Sequence, residues 1–416
     1  MKRMEKLKNN FSLFGMCAVF ACAACSTEDM DYRSDLMDGP PIIEVIDEGS
    51  QNVNGTTRAM NTTLESFSLY IVDEFYDEDG AIAENVKLTK EEAGWKSRPN
   101  FYLINDPQNA YGISPSAQAE NLTNVNIAYD TQTFDYSVTN DMTKQSKVKV
   151  ASRMNFTKKS VNNKLSLTFR DVLFSLNVQA VNEIKDVKIF VKSFKFHNVK
   201  PNGRFKFDAK KESRGKWTVD VDDRSTCLDY EQTLETAVEL SRTNYRNIVD
   251  SAFTLMPQDL YDNLWYPYDC EWADDESMKE SFADANTNKH MYIEVKCQIT
   301  QEKDNQTLYL WGYPAEEVDA THPEYESVYF PYDEYACLSD WTMGVNSIYY
   351  LEFNTLTGGY DGTGQHIVPH PTGGLGISAF ENAEPVPFKV GSNDDGNVDA
   401  WDDATEDIVI PMDGKE

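Results

Sequence analysis

The chain has 416 residues, with 69 aspartates and glutamates against 38 lysines and arginines, and a formal net charge of −31. Charge of that sign is repelled by a phosphate backbone and by an anionic membrane surface, which excludes nucleic-acid binding and flat adsorption to a bilayer. The length accommodates about two domains, each with a real core.

Residues 1–24 read as a secretory signal. Lys2, Arg3, Lys6 and Lys8 form a basic head before an apolar run at 11–24, too short to serve comfortably as a permanent membrane span. Cys25 follows Ala23 and Ala24 and is the expected lipidation site, where acyl chains such as palmitate would tether a soluble domain. Cys22, after Val19, Phe20 and Ala21, is a second candidate. The signal carries +3, so the remaining 392 residues carry −34. Glu28, Asp29 and Asp31 follow Cys25, a cluster that resembles the surface-export signal of certain Gram-negative lipoproteins. The expected address is the outer membrane, facing outward.

Polar, turn-rich stretches at 26–41 and 47–63 isolate a short apolar segment, IIEVI at 42–46. Beyond it strand patterning dominates: FSLYIV at 67–72, LSLTF at 165–169, VLFSLNVQA at 172–180 and VKIFV at 187–191 alternate or carry β-branched and aromatic runs. Between 291 and 300, Met291, Ile293, Val295, Cys297 and Ile299 face one way and polar or amphipathic residues the other. LYLW at 308–311, SIYYLEF at 347–353 and DIVI at 407–410 add strands, and Asp79-Gly80, Asn202-Gly203 and Asp361-Gly362 mark turns. One helix is expected at about 231–241. The polar, basic KKSVNNK at 158–164 is the expected domain boundary. The fold class is therefore all-β: two β-sandwiches with few short helices. The expected division is a signal at 1–24, a leader at 25–58 holding a first strand, an N-terminal sandwich at 59–160, and a C-terminal sandwich with a strand-like tail at 161–416.

Catalytic signatures are missing. The chain has no Gly-x-Ser-x-Gly elbow, phosphate loop or His-Glu-x-x-His helix. His366 and His370 flank Pro369 among Gly and Thr, which disfavours a helix holding both on one face. Asn393 to Asp399, and Asp77, Asp79 and Gly80, place oxygen ligands near a glycine without a full calcium-loop pattern. No enzymatic activity, cofactor or metal is expected. Outside the signal region the cysteines are Cys227, Cys270, Cys297 and Cys337. Three pairings are open, and Cys297 on an apolar strand face favours plain burial.

Several segments, in order across residues 57–412, resemble the fimbrillin-like family of subunits and accessory lipoproteins of protease-assembled fimbriae. These are Thr57-Arg58-Ala59 before LESFSLYIV, FDYSVTNDMTKQSKVKVAS at 134–152, and LSLTFRDVLFSLNVQA at 165–180, where Asp171 stands in place of the usual His. FTLMPQDL at 253–260 follows, then Trp341, Gly344, Tyr349 and Phe353, and finally PFKVGSNDDGNVDAWDDATEDIVIPM, with Trp401 in an expected place. The resemblance implies transthyretin-like sandwiches and a lipoprotein precursor cut after Arg58, with Ala59 the new N-terminus. It also implies assembly with other fimbrial subunits by strand complementation, in which an extended segment of a neighbour, with DIVI at 407–410 the candidate, fills the groove that a removed first strand leaves. The alternative reading is a non-polymerising surface lipoprotein that binds a glycan or a host protein through an aromatic cluster, Trp265, Tyr266, Tyr268 and Trp272. Trp341 and Pro257-Gln258 read as architectural.

Overall fold

Alternating burial along short segments builds four sheets in the computed structural model, which describes residues 39–48, 64–73, 82–117, 119–220, 222–260, 265, 275–303, 305–330, 341–353, 360–363 and 388–392. The first sheet has seven strands in the order β1 (Ile42–Asp47), β9 (Lys164–Asp171), β8 (Lys149–Phe156), β5 (Gln108–Ser114), β2 (Ser66–Asp73), β3 (Ala83–Glu91) and β4 (Gly94–Arg98). A four-stranded sheet runs β13 (Gly215–Thr218), β12 (Asn202–Phe207), β7 (Gln132–Ser137), β6 (Leu122–Ile127). Tyr111 of β5 meets Phe207 of β12 edge-on at 5.0 Å, and Phe134 stacks on Phe205 at 5.0 Å. The first pair joins the two sheets face to face, as aromatic contacts do in sandwich cores, and the second is a cross-strand pair within the four-stranded sheet.

The remaining strands form two five-stranded sheets. One runs β15 (Arg246–Asn247), β10 (Phe174–Asn182), β20 (Asn346–Phe353), β21 (Phe388–Ser392), with β16 (Phe253–Leu255) also on β10. The other runs β14 (Leu228–Glu239), β11 (Val187–Val199), β17 (Tyr292–Lys303), β18 (Gln306–Trp311), with β19 (Glu326–Phe330) also on β17. Phe196 on β11 reaches Trp341 at 5.8 Å and Tyr349 on β20 at 6.3 Å, and Phe330 meets Phe353 at 5.8 Å. The fold is all-β and sandwich-like, with one α-helix among the described residues, α1 (Asp275–Asn288).

Two expectations are corrected. Residues 231–241 do not form a helix: Leu228–Glu239 is strand β14, antiparallel to β11. Tyr230, Gln232 and Leu234 are buried on one face while Thr233 and Glu235 are exposed on the other, so period two prevails over period 3.6. The polar KKSVNNK segment does not separate two sandwiches. Within it Asn162 and Asn163 adopt positive φ of 51° and 55°, and Lys164 N–H donates to Val161 O at 3.0 Å. It is the tight turn between β8 and β9, neighbours in one sheet, and asparagine tolerates the left-handed region such a turn needs. Strands β12 and β13 also lie beyond that point in sequence, yet β12 pairs with β7.

Candidate functional site

The edge strand β1 carries the most distinctive geometry. It pairs in parallel with β9, from Ile42 opposite Lys164 to Asp47 opposite Phe169. Ile42 N–H donates to Asn163 O at 3.0 Å and Glu48 N–H to Phe169 O at 3.1 Å. In a parallel ladder, alternate residues of a strand bond to a given neighbour, so residues 42, 44, 46 and 48 face β9 with their amides. The amides of Ile43, Val45 and Asp47 point away from β9.

Side chains follow the same alternation. Ile43 is 9% exposed and Val45 half-buried, whereas Ile42 and Ile46 are 66% and 49% exposed. Ile43 belongs to a core with Phe67, Leu88, Leu165, Leu167 and Phe169. Full burial of such a side chain contributes about 1.5–3 kcal/mol. Gly112 on β5 makes room beneath: a Cβ there would lie 2.6 Å from Phe169 Cζ.

The acids of β1 and of the residue that follows it meet bases on the rest of the sheet. Glu44 pairs with Lys164 at 3.1 Å and Glu48 with Arg170 at 2.7 Å, both near the surface. Asp47 accepts from Lys149 Nζ at 2.5 Å, with the lysine side chain 4% exposed. Asp171 completes the cluster, 3.4 Å from Lys149 and 2.9 Å from Lys147. Two carboxylates and two ammonium groups balance there, as partly buried charges must. Asp171, which stands where the sequence resemblance leads one to expect His, is thus a counter-ion of the two lysines.

A second polar cluster spans β11, β14, β17 and β19. His197 contacts Glu294 through Nε2 at 2.7 Å and Asp229 through Nδ1 at 3.2 Å. Lys195 lies 3.0 Å from Glu231 and 3.5 Å from Glu294, and Ser327 Oγ donates to Glu294. Burial works against a charged His197 ring, but the hydrogen bonds to Asp229 and Glu294 outweigh it and hold its pKa above the usual 6.5. Burial likewise opposes the Glu294 carboxylate, but His197, Ser327 and Lys195 pull it down to about 2. Each member of this cluster is held by a partner within it. Among the described residues no group of acids, histidines and cysteines is disposed to hold a metal, and no helix is long and apolar enough to cross a membrane.

The expected processing and lipidation residues, Cys25, Arg58 and Ala59, lie outside the described residues, as do Cys22, His366, His370, Asn393 to Asp399, Trp401 and DIVI at 407–410. In sequence, Arg58 falls between β1 and β2, which are not neighbours in the sheet. Gln258, Trp341, Gly344 and Tyr349 come together as one packed corner. Gln258 and Trp341 exchange backbone hydrogen bonds at 3.0 and 3.1 Å, and Trp341 stacks on Phe174 and donates Nε1–H to Tyr349 Oη at 2.8 Å. Their role is architectural. Of the aromatic cluster, Trp265 is buried under α1 against Phe282 at 4.9 Å, donating Nε1–H to Ser281; Tyr266, Tyr268 and Trp272 lie outside the described residues. Cys227 and Cys297 are free thiols, both pushed up by burial; Cys270 and Cys337 lie outside the described residues.

The Asp47–Lys149–Asp171 cluster was not singled out from sequence. Its signal is the contrast between an acidic edge segment, EVIDE at 44–48, and the lysines and arginines concentrated between 144 and 170 in an otherwise acidic chain.

No family model matches this chain, and no curated protein matches it. Its fold is similar to a fimbrial protein from Bacteroides vulgatus, at 13% identity and TM-score 0.49, covering 76% of this chain and 94% of that one. A candidate cell adhesion protein from Bacteroides uniformis is similar at 12% identity and TM-score 0.37, covering 86% and 99%. The fimbrial anchor protein Mfa2 from Porphyromonas gingivalis is similar at 8% identity and TM-score 0.30, covering 75% and 90%.

Proposed function

We propose that the chain is a structural or adhesive subunit of a surface fibre, exported as a lipoprotein acylated at Cys25 and held at the outer membrane until assembly. Cleavage after Arg58 would detach residues 25–58, and with them the lipid and β1. The sheet would then expose the edge of β9 and the apolar seats of Ile43 and Val45, and an extended segment of another subunit would fill them.

One observation carries this reading: the strand that precedes Arg58 in sequence is an edge strand whose inward residues sit in the core. An unpaired edge above an apolar groove is satisfied by backbone hydrogen bonds and alternate side chains from a second chain. The motif order across 57–412 supports the same reading, and the burial of Trp265 removes the first ring of the glycan-binding alternative. The chain is not proposed to be an enzyme or to carry a cofactor. Arg58→Ala tests the reading. The variant should fold and export as wild type yet yield no polymer ladder on a gel of unboiled surface extract; a normal ladder would contradict cleavage at Arg58.

A further inference from the structure

We propose that Lys149 reads an acid on whichever strand occupies the β1 groove, and that residues 408–413, IVIPMD, of a second copy are the strand whose pattern meets that demand. The inference rests on the strand-exchange reading and adds to it the register and the residue that sets it.

The groove makes three demands on its occupant. It seats two inward apolar side chains where Ile43 and Val45 sit. It presents Lys149, 4% exposed, to an inward acid four residues beyond Ile43, as Asp47 supplies in β1. It requires amide donors toward β9 at the outward positions 42, 44, 46 and 48, and none toward β9 from 43, 45 or 47.

Loss of β1 leaves Lys147 and Lys149 facing Asp171 alone, an excess of one positive charge at a nearly buried site. A buried charge stripped of its partner is strongly unfavourable, so an incoming strand without an acid at that position is penalised and one with it is selected.

The segment IVIPMD overlays IIEVID residue for residue. Val409 and Pro411 take the seats of Ile43 and Val45, and Asp413 takes the place of Asp47. Proline cannot donate an amide hydrogen bond, and it falls on Val45, whose amide is directed away from β9. A shift of one residue in either direction would place Pro411 on a position that must donate to β9 and would set Met412 or Gly414 against Lys149. The proline and the acid therefore select the same register independently. The surface pairs made by Glu44 and Glu48 have no counterpart at Ile410 and Gly414, so the buried pair is the one retained. Running antiparallel, the segment would offer Asp407 to Lys149 instead, which the experiment separates.

The test uses the full chain treated with an arginine-specific protease, with polymer read on unboiled gels and release of residues 25–58 read by mass. Asp413→Lys should reduce polymer at least tenfold without altering release, and Lys149→Glu combined with it should restore the ladder. Asp407→Lys should leave the ladder intact. In case Lys149→Glu disturbs folding, Lys149→Met should polymerise equally with Asp413 or Asp413→Asn. Unchanged polymer from Asp413→Lys, or a block by Asp407→Lys in its place, would overturn the inference. Wild-type chain that releases no N-terminal fragment would overturn the strand-exchange reading itself.

Discussion

The two ionic clusters of this molecule are built from similar groups but are wired differently. The His197–Glu294 cluster is shared among four strands of one sheet, so every member is held by ladder hydrogen bonds on neighbouring strands. The Asp47–Lys149–Asp171 cluster lies across the boundary between an edge strand and the rest of its sheet, and one carboxylate belongs to β1 alone. The first cluster can open only if its sheet opens. The second can exchange one member when a single strand leaves. Partly buried charge is a structural cost in the first place and, under the proposed strand exchange, a means of recognition in the second.

Breaking the interior cluster should have the largest effect. Glu294→Ala leaves His197, Lys195 and Ser327 without their shared acceptor, and should lower global stability by about 3 kcal/mol in urea unfolding. Asp47→Ala should cost less, about 1–2 kcal/mol, because Asp171 still faces Lys149. It should appear as faster amide exchange in β1 and at the outer edge of β9, with little change in the β11–β17 pair. Equal loss of protection in both regions would remove the contrast between them.

Acidity offers a finer probe. His197 has a folded pKa raised above its unfolded value, so its contribution is fully present below about 6.5 and is lost as pH rises through the folded pKa. Glu294 is depressed to about 2, so its contribution is present above the ordinary carboxylate range and is lost as pH falls through that value. Stability of the wild type should thus decline on the alkaline side of 6.5, and His197→Gln should flatten that arm. The β1 cluster contains no histidine, so exchange of β1 amides, corrected for intrinsic rate, should not follow the same curve. The smallest effect is expected at the exposed Glu44–Lys164 pair. Glu44→Gln should change stability by less than about 0.5 kcal/mol, measured by thermal unfolding.

Much of the sheet content is legible in the sequence because alternation is a local property. Met291 to Thr300 lies almost wholly within β17, and IIEVI at 42–46 matches β1. Residues 231–241 misled because their mixed polarity satisfies a helical spacing as well as a strand, and only pairing with β11 decides between them. KKSVNNK misled because a polar, basic run resembles a linker, whereas two asparagines in the left-handed region make it a turn within one sheet. The Lys149 cluster depends on contacts between residues 47, 149 and 171. No local pattern encodes that proximity, so only the sheet order reveals it.

The most direct measurement is the N-terminal residue, by mass spectrometry, of this chain recovered from washed fibres. The account predicts an N-terminus at Ala59 and no peptide containing Asp47. Fibre subunits that begin at Cys25 and retain residues 42–47 would contradict it.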